Sequence, residues 1–225
     1  MVRVFHKYLS LIISIQLLLW TISGIYFAFN KIELVRGEQY IIKDKPSSIE
    51  INNLNISSNV KNIEIFKRLN QWVVKAEMDA GFKYQDLLGN EVYELSPNEA
   101  IEVVKLKTIL SPIDAIKINE SSARSEFRGR SLPIYKIKTD SSDDTNVYVD
   151  VMSGKIVAIR SDSWRVWDFL WGAHIIDYRQ RDNINNILLK IFSILALLSS
   201  LSGIALFFNT IKTVSYTHLT LPTKA

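Results

Sequence analysis

Two long apolar stretches constrain this chain more than any other feature of its sequence. The run from Leu9 to Phe29 carries no charged side chain, and the run from Ile187 to Phe208 carries only Lys190, near its start. A helix of about 20 residues crosses the hydrocarbon core of a bilayer, which is about 30 Å thick. Both runs reach this length, so we predict transmembrane helices at 9–29 and 187–208.

Each run has a competing interpretation. The first could be a cleaved signal peptide, but it is longer than the usual apolar region and lacks a small-x-small cleavage pattern. The second could be the core helix of a soluble domain, but its length and near-total lack of charge favour a membrane span.

The basic residues at the ends of these runs predict an orientation. Arg3 and Lys7 precede the first run and Lys212 follows the second, so the positive-inside rule favours cytoplasmic ends and a large loop outside the cytoplasm. The bias is small, because four basic residues flank the runs on the other side: Lys31, Arg36, Arg179 and Arg181.

Composition and motifs bound the classes of function. The chain of 225 residues has a net charge of +4, which gives no indication of a nucleic-acid partner. It has no cysteine, which excludes disulfides and thiolate metal sites. It contains no phosphate loop, no Gly-x-Ser-x-Gly, no His-Glu-x-x-His and no dinucleotide fingerprint. We therefore predict no catalytic residue and no protein-held metal site.

The polar middle of the chain is predicted to fold as an α+β domain. Ser96, Pro97 and Glu99 form a helix start signal, with an N-cap, a proline at the first helical position and the acidic residue of a capping box. β-branched and aromatic segments on both sides of this helix predict antiparallel hairpins. The predicted division is 1–8 cytoplasmic N-terminus, 9–29 first span, 30–62 irregular linker, 63–160 α+β domain, 161–186 interfacial helix and loop, 187–208 second span and 209–225 cytoplasmic tail.

Two hairpin sequences resemble each other, KYQDLLGNEVYEL at 83–95 and VYVDVMSGKIVAI at 147–159. In each, an aspartate precedes a glycine turn. Such an aspartate accepts hydrogen bonds from the backbone amides of the turn. We therefore predict structural roles in the turns for Asp86, Gly89, Asp150 and Gly154.

Three pieces of the middle resemble, in this order, a PepSY domain. They are LSPNEAI at 95–101, a strand near 132–138 and YVDVMSGK at 148–155. The flanks RVFHK at 3–7 and WDFLWGAHIIDYRQRDN at 167–183 are similar to PepSY-associated transmembrane proteins, so the resemblance covers about residues 3–211.

This resemblance implies a protein integral to the cytoplasmic membrane of a bacterium, with its α+β domain outside the cytoplasm. It implies binding or modulation of an envelope partner, a protease or an iron or redox complex, and it implies no fixed catalytic set. We expect a binding role rather than an enzymatic one. The larger iron-reductase-like members of this group have more than two spans, and the chain departs from them in this respect.

His6 and His174 are the only histidines before the tail, and so the only candidates for haem ligation. Under the predicted topology about 30 Å of bilayer separates them, so each would need a second ligand from another chain. The alternative function is therefore a haem-binding membrane subunit of an electron-transfer or ferric-reductase-like system, truncated before a cytoplasmic reductase domain. Without haem, His6 is interpreted as an interfacial residue between Arg3 and Lys7.

An aromatic stripe precedes the second span. Trp164, Trp167 and Trp171 share one helical face with His174. Tryptophan is common at membrane–water boundaries, so we predict an interfacial helix that anchors to the lipid bilayer. A platform for a ligand or quinone is the alternative.

Two segments have nearly the same sequence, ISGIYFAFNKI at 22–32 and LSGIALFFNTI at 201–211. Small residues let membrane helices approach closely. Ser23 with Gly24, and Ser202 with Gly203, are therefore predicted helix-packing sites.

The tail TVSYTHLTLPTKA at 213–225 has a different composition from the rest of the chain. It resembles a translated sequencing adapter, so we expect residues from about 213 to be non-native. His218 is accordingly given no role.

Overall fold

The computed structural model describes residues 2–43, 59–122 and 124–217, without the side chains of 211–217. It divides into two compact units. The helical unit comprises Met1–Phe29 and Asp168–Ala225, and the α+β unit comprises Asn30–Trp167. The central part of the predicted linker, at 44–58, and the tail from 218 lie outside the described residues.

The helical unit contains helix α1 (Val2–Phe29), the C-terminal half of helix α4 (Asp162–His174) and helix α5 (Ile187–Thr217). Val2–Phe29 and Ile187–Thr210 are long and apolar enough to cross a membrane. Only 17% and 6% of their most apolar windows are buried, so neither has the covered surface of a core helix in a soluble protein.

Helices α1 and α5 run antiparallel. Ser10 of α1 lies opposite Ser199 of α5, and His6, one turn earlier on α1, lies opposite Ser202. Asn186 precedes the first residue of α5, and its side-chain oxygen accepts a hydrogen bond from the Leu189 amide at 2.8 Å. This bond satisfies one of the free amides at the start of a helix that has no acidic residue in its first turn.

The α+β unit contains two antiparallel sheets. Strands β1 (Asn62–Arg68), β2 (Gln71–Met78) and β3 (Gly81–Asp86) form one sheet in the order β1-β2-β3. Strands β4 (Pro112–Ile118), β5 (Ile134–Thr139), β6 (Asn146–Asp150) and β7 (Ile156–Arg160) form the other in the order β4-β5-β6-β7. An α+β fold with antiparallel hairpins between two apolar helices is thereby confirmed.

Helix α3 (Pro97–Lys107) covers the four-stranded sheet. Its apolar side is fully buried at Ala100, Val103 and Val104. These residues pack against inward-facing side chains of the sheet and against two neighbouring loop residues. The other members of this core are Leu95, Tyr135, Ile137, Val147, Val149, Val151 and Ile159. Burial of this apolar surface is the main force that holds helix and sheet together.

The start of the predicted linker belongs to the α+β unit. It forms helix α2 (Ile32–Val35) and a short 3₁₀ helix (Glu38–Tyr40). Tyr40 packs on the core, and backbone hydrogen bonds join this segment to the end of α3, from Ile42 to Lys107 and from Ile109 to Tyr40. Its polar composition concealed these contacts, because they are made by the backbone and by a few apolar side chains.

Two segments before α3 are decided by the structure. The apolar positions 63, 65, 66 and 69 are compatible with a helix turn or a strand, and the structure forms strand β1 there, followed by a tight turn. The second strand predicted within 83–95 is reduced to an isolated bridge between Gln85 and Glu91. The chain leaves the sheet there because Leu95 hydrogen-bonds through its amide to the Val151 carbonyl, which leads it into α3.

The predicted capping box of α3 is present. Ser96 Oγ accepts from the Glu99 amide, and the Glu99 carboxylate accepts from the Ser96 amide and hydroxyl at 2.7 and 2.8 Å. The backbone and side-chain bonds from Ser96 lower the pKa of Glu99, against a smaller opposing effect of burial, and Arg68 adds to the lowering.

We expect Ser96→Ala to lower the free energy of unfolding of the α+β unit by about 1 kcal/mol, because the cap bond is lost. Because the folded pKa of Glu99 is lowered, its stabilisation is full above the unfolded value and disappears as pH falls through the folded value. Denaturant titrations across acid pH measure both effects. Ser142→Ala, at an exposed turn position, is the control, and an equal loss there would contradict the capping role.

Candidate functional site

The end of helix α4 lies against the C-terminal half of α1. The carbonyls in the last turn of a helix lack intrahelical partners, and two side chains of α1 supply donors for them. Gln16 Nε2 donates to the Ala173 carbonyl at 3.2 Å, and Trp20 Nε1 donates to the His174 carbonyl at 2.6 Å. Gln16 is buried, and these two bonds fix where α4 ends on α1.

His174 is held by Ser23 at this junction. Ser23 Oγ donates to the Leu19 carbonyl at 2.7 Å and lies 2.7 Å from His174 Nδ1. A serine hydroxyl has one proton, so Ser23 accepts a hydrogen bond from Nδ1–H of His174. The neutral ring then carries its lone pair on Nε2, to which none of the described residues hydrogen-bonds. Burial lowers the pKa of His174 and favours this neutral form.

Aromatic rings surround the His174 imidazole. The Trp171 ring is stacked parallel to it at a centroid distance of 6.3 Å. Phe27 and Trp20 of α1 lie at 5.7 and 6.3 Å. His174 therefore presents Nε2 from a largely aromatic setting, and among the described residues Ser23 is the one hydrogen-bond partner of its ring.

His6 forms a second polar cluster, toward the other end of α1. Its Nδ1 lies 2.8 Å from Ser202 Oγ, and Ser202 donates its proton to the Ser199 carbonyl. Ser10 Oγ lies 2.9 Å from Ser199 Oγ and 3.3 Å from His6 Nε2. The cluster lies between α1 and α5, and the position of His6 at a membrane interface stays a prediction.

The two histidines occupy separate positions along α1. His6 is on this helix, and His174 is bonded to Ser23. These positions are 17 residues apart in the sequence, which is about 25 Å at the rise of an α-helix. One ion or one haem iron cannot contact both rings within one helical unit.

The predicted helix-packing glycines differ in their surroundings. A Cβ added at Gly203 would lie 3.2 Å from His6 Cε1, whereas a Cβ at Gly24 would meet nothing within 4 Å. Of the two Ser-Gly pairs, only the one at Gly203 is a close packing site. The serine of each pair, Ser23 or Ser202, hydrogen-bonds to a histidine.

A tight loop connects α4 to α5. The Asp177 carboxylate accepts backbone hydrogen bonds from Arg179, Gln180, Asp182 and Asn183 at 3.0–3.1 Å. Burial alone would raise its pKa, but these four donors lower the pKa of Asp177 to about 2. The loop is thus organised around one carboxylate that remains ionised.

We expect Asp177→Asn to increase hydrogen exchange of the loop amides at 179–183 by about fivefold or more, because a neutral amide accepts fewer and weaker bonds. Since the folded pKa is depressed to about 2, the wild-type loop should be fully protected above about pH 5 and should lose protection as pH falls toward 2. Asp79→Asn, at an exposed ion pair with Lys61, is the control. Unchanged exchange in the Asp177 variant would contradict this role.

The tryptophans of the predicted interfacial stripe do not share one environment. Trp164 is buried within the α+β unit, with the Arg160 and Arg128 guanidinium carbons 4.4 and 5.6 Å from its ring centroid. Cations over a tryptophan face stabilise its burial, so Trp164 is covered by protein and does not have the exposed ring of a membrane anchor. Trp167 and Trp171 are half-buried, and their membrane role stays a prediction.

Arg160 belongs to a network that contacts the start of α4 through Trp164 and Arg165. Arg160 Nε donates to the Glu126 carbonyl, and the Glu126 carboxylate accepts from Tyr148 and Arg165 at 2.8 and 2.6 Å. Burial lowers the pKa of Arg160 to about 10, and the positive charge of Arg130 contributes to this lowering. This network is a structural support around Tyr148, which is 1% exposed.

The turn residues predicted from the paired hairpins lie as follows. Asp86 accepts hydrogen bonds from the amides of Leu88 and Asn90 at 2.9 and 2.8 Å, and Gly89 has a φ of 93°. Asp150 accepts from the Ser153 amide at 2.6 Å. Gly154 has a φ of 64°. Both carboxylates are used within their own turns, where Asp150 also accepts a hydrogen bond from the Ser153 hydroxyl at 2.6 Å.

A cleft of about 520 Å³ opens in the α+β unit. Its floor is one face of the three-stranded sheet. The loop at 129–133 and the β6–β7 hairpin form its walls. Side chains of both charges and three aromatic rings line it, and the lining side chains used below are Glu64, Phe66, Lys75, Phe82, Tyr84 and Arg130.

Sequence reasoning missed this cleft and the partners of both histidines. Gln16 could have indicated a polar contact of α1 with another element, because it is the one amide side chain in the uncharged run 9–29. Ser10 and Ser199 carried no distinctive pattern, since serine is frequent in both helices. The cleft likewise has no recognisable sequence pattern, because its lining residues come from segments far apart in the sequence.

No protein-family model, no curated protein and no solved structure matches this chain. The PepSY resemblance therefore stays a prediction from the residues that carry it.

Proposed function

We propose that this chain is a two-span protein of a bacterial cytoplasmic membrane that carries a PepSY-type α+β unit outside the cytoplasm. The unit binds or modulates an envelope partner, such as a protease or an iron or redox complex. The observation that carries this proposal is the cleft, whose size lies within the range of about 300–1,000 Å³ that is usual for ligand-binding clefts.

The chemistry of the cleft favours binding over catalysis. The Glu64 carboxylate is paired with Lys155, which lowers the pKa of Glu64 first through a hydrogen bond. The Asp150 carboxylate is committed to its turn. General acid–base catalysis needs a group whose pKa lies near the working pH, and the pKa of Glu64 is shifted away from neutrality.

The membrane part of the proposal rests on the two apolar helices and on the basic residues at their ends. It can be tested by single-cysteine labelling, because the chain has no native cysteine. Lys83→Cys places a thiol on the α+β unit, and Arg3→Cys places one before the first span. We expect a membrane-impermeant maleimide to label the first variant in intact cells and the second only after permeabilisation. The reverse pattern would overturn the orientation.

Partner binding can be tested by photo-crosslinking in the native membrane. A photoreactive amino acid at exposed Phe82 or exposed Ile116 samples two regions of the α+β unit. We expect a discrete adduct with an envelope protein from at least one of these positions. Leu11 and Leu197 on the apolar helices serve as comparison positions. If the α+β positions give no adduct, the partner-binding proposal fails.

A second candidate function is haem binding by a membrane subunit of an electron-transfer or ferric-reductase-like system. The observation that favours it is the orientation of His174, whose Nδ1–H is donated to Ser23 so that Nε2 carries the lone pair. A ligating histidine commonly donates its other ring N–H to a fixed acceptor. Haem bound there would supply one-electron chemistry.

The fit of a haem to one chain is incomplete. No group of three or more His, Cys, Asp or Glu side chains able to hold a metal occurs among the described residues. The other described histidine, His6, lies about 25 Å away along α1, so a second histidine ligand would come from a second copy or another subunit. A visible spectrum of the detergent-purified protein tests this function. A Soret band that is lost in His174→Ala and retained in His6→Ala would support it, and a colourless protein would exclude it.

A further inference from the structure

We infer that the cleft of the α+β unit binds an extended acidic segment of a protein partner. In this arrangement acidic side chains of the segment lie at Lys75 and Arg130, and an apolar side chain of the same segment packs on the aromatic floor. The inference rests on the proposed binding function and names the chemistry of the partner.

The floor of the cleft is set by the register of the three-stranded sheet. Glu64 of β1, Lys75 of β2 and Tyr84 of β3 are directly opposite one another. Residues opposite in antiparallel strands share a face, and so do residues two positions apart on one strand. Phe66 and Phe82 therefore lie on the same face, and all five side chains line the cleft.

The cationic groups of the cleft differ in their ion pairing. Lys155 is paired with Glu64. The Lys75 ammonium instead lies 4.1 Å from the centroid of the Phe82 ring and 6.0 Å from that of Tyr84. The positive charge of Lys75 also lowers the pKa of Glu64, but by less than the charge of Lys155 does.

Arg130 lines the cleft from the loop at 129–133. It is exposed, and within the described parts of the chain neither Arg130 nor Lys75 forms an ion pair with a carboxylate. Two positive charges without a carboxylate partner among the described residues therefore line this aromatic cleft.

The remaining charges favour carboxylates on a peptide over a densely charged phosphate ligand. Glu64 and Asp150 stay in the lining, and they would repel a compact polyanion. Carboxylates spaced along an extended strand can reach Lys75 and Arg130 separately. Phe82 is 59% exposed, and an apolar side chain of the bound segment would cover it. Complementary charge mainly selects the partner and speeds its approach.

The test uses the full chain in lipid nanodiscs and a panel of fluorescein-labelled peptide amides. Glu-Phe-Glu-Val and Glu-Leu-Glu-Val represent acidic segments, and Gln-Phe-Gln-Val and Gln-Leu-Gln-Val are the neutral counterparts. We expect the acidic peptides to bind at least about fivefold more tightly by fluorescence anisotropy. This preference should shrink in 0.5 M salt, where screening is stronger.

Matched variants locate the binding. Lys75→Gln and Arg130→Gln should each weaken acidic-peptide binding by about fivefold and leave neutral-peptide binding unchanged. Lys83→Gln removes the same charge from the opposite face of the same sheet and should have no effect. Circular dichroism confirms that each variant is folded.

Three outcomes would overturn the inference: no binding by the acidic peptides, equal binding of acidic and neutral peptides, or equal weakening by Lys83→Gln. The outcome for the proposed function is separate. If Lys75→Gln/Arg130→Gln still forms the photo-adduct with an envelope protein, the unit has a partner and binds it elsewhere. If no adduct forms even in the wild type, the proposed function itself fails.

Discussion

Replacing Gly37 by alanine is expected to destabilise the α+β unit strongly. Gly37 has a φ of 80°, and a Cβ there would lie 2.6 Å from Ile159 Cγ2 and 2.7 Å from Ile159 Cβ. The left-handed backbone costs about 1–2 kcal/mol for an L-residue, and the overlap with a buried core residue brings the total to about 2–4 kcal/mol. The midpoint of thermal unfolding should fall by about 10 °C, measured by near-ultraviolet circular dichroism.

Gly129→Ala is the matched control for this variant. Gly129 has a φ of 75°, but a Cβ there meets nothing within 4 Å. It therefore carries the backbone strain without the overlap, and we expect a loss of only about 1–2 kcal/mol. If the two variants lose the same stability, the packing of the 32–42 segment on the four-stranded sheet is not as described.

Replacing Gly203 by valine is expected to separate α1 from α5 near His6. The added Cβ would lie 3.2 Å from His6 Cε1, and the two further methyl groups leave no room for the ring. His6 would then lose its 2.8 Å hydrogen bond to Ser202. Interhelical hydrogen bonds in membranes contribute about 0.6 kcal/mol on average, and the close packing of the helices is lost as well.

Disulfide trapping measures this separation, because the native chain has no cysteine. Ser10 Oγ and Ser199 Oγ are 2.9 Å apart, so Ser10→Cys/Ser199→Cys should cross-link rapidly under mild oxidation. Adding Gly203→Val should slow the reaction severalfold. Adding Gly24→Val should not, since that position has open space around it. Equal rates in all three proteins would refute the close approach at Gly203.

The fold was predictable where the signal is local. The start of α3 is encoded by Ser96, Pro97 and Glu99, which are neighbours in the sequence and form the box among themselves. The β6–β7 hairpin is likewise encoded by its turn. The prediction of a strand after Asn90 was wrong, because the hydrogen bond of Leu95 to Val151 outweighs the strand preference of EVYEL.

The candidate sites were less predictable, since their partners are distant in the sequence. Both histidines were identified as the notable residues, but Ser23 is 151 residues from His174, and Ser202 is 196 residues from His6. A single sequence holds no information that pairs them. The division of the predicted tryptophan stripe has the same cause, because the arginines that cover Trp164 come from other parts of the α+β unit.

The two sheets also bear on how this unit behaves when crowded. Strands β1, β3, β4 and β7 are sheet edges, and an uncovered edge is a template for pairing with another chain. Strand β1 carries Glu64 and Lys67, while β4 begins with Pro112, shifts register next to Asp114 and carries Lys117. Charges, proline and an irregular register each oppose continued strand pairing. At high local concentration, the β1 and β4 edges of neighbouring copies should therefore resist pairing into a continuous sheet.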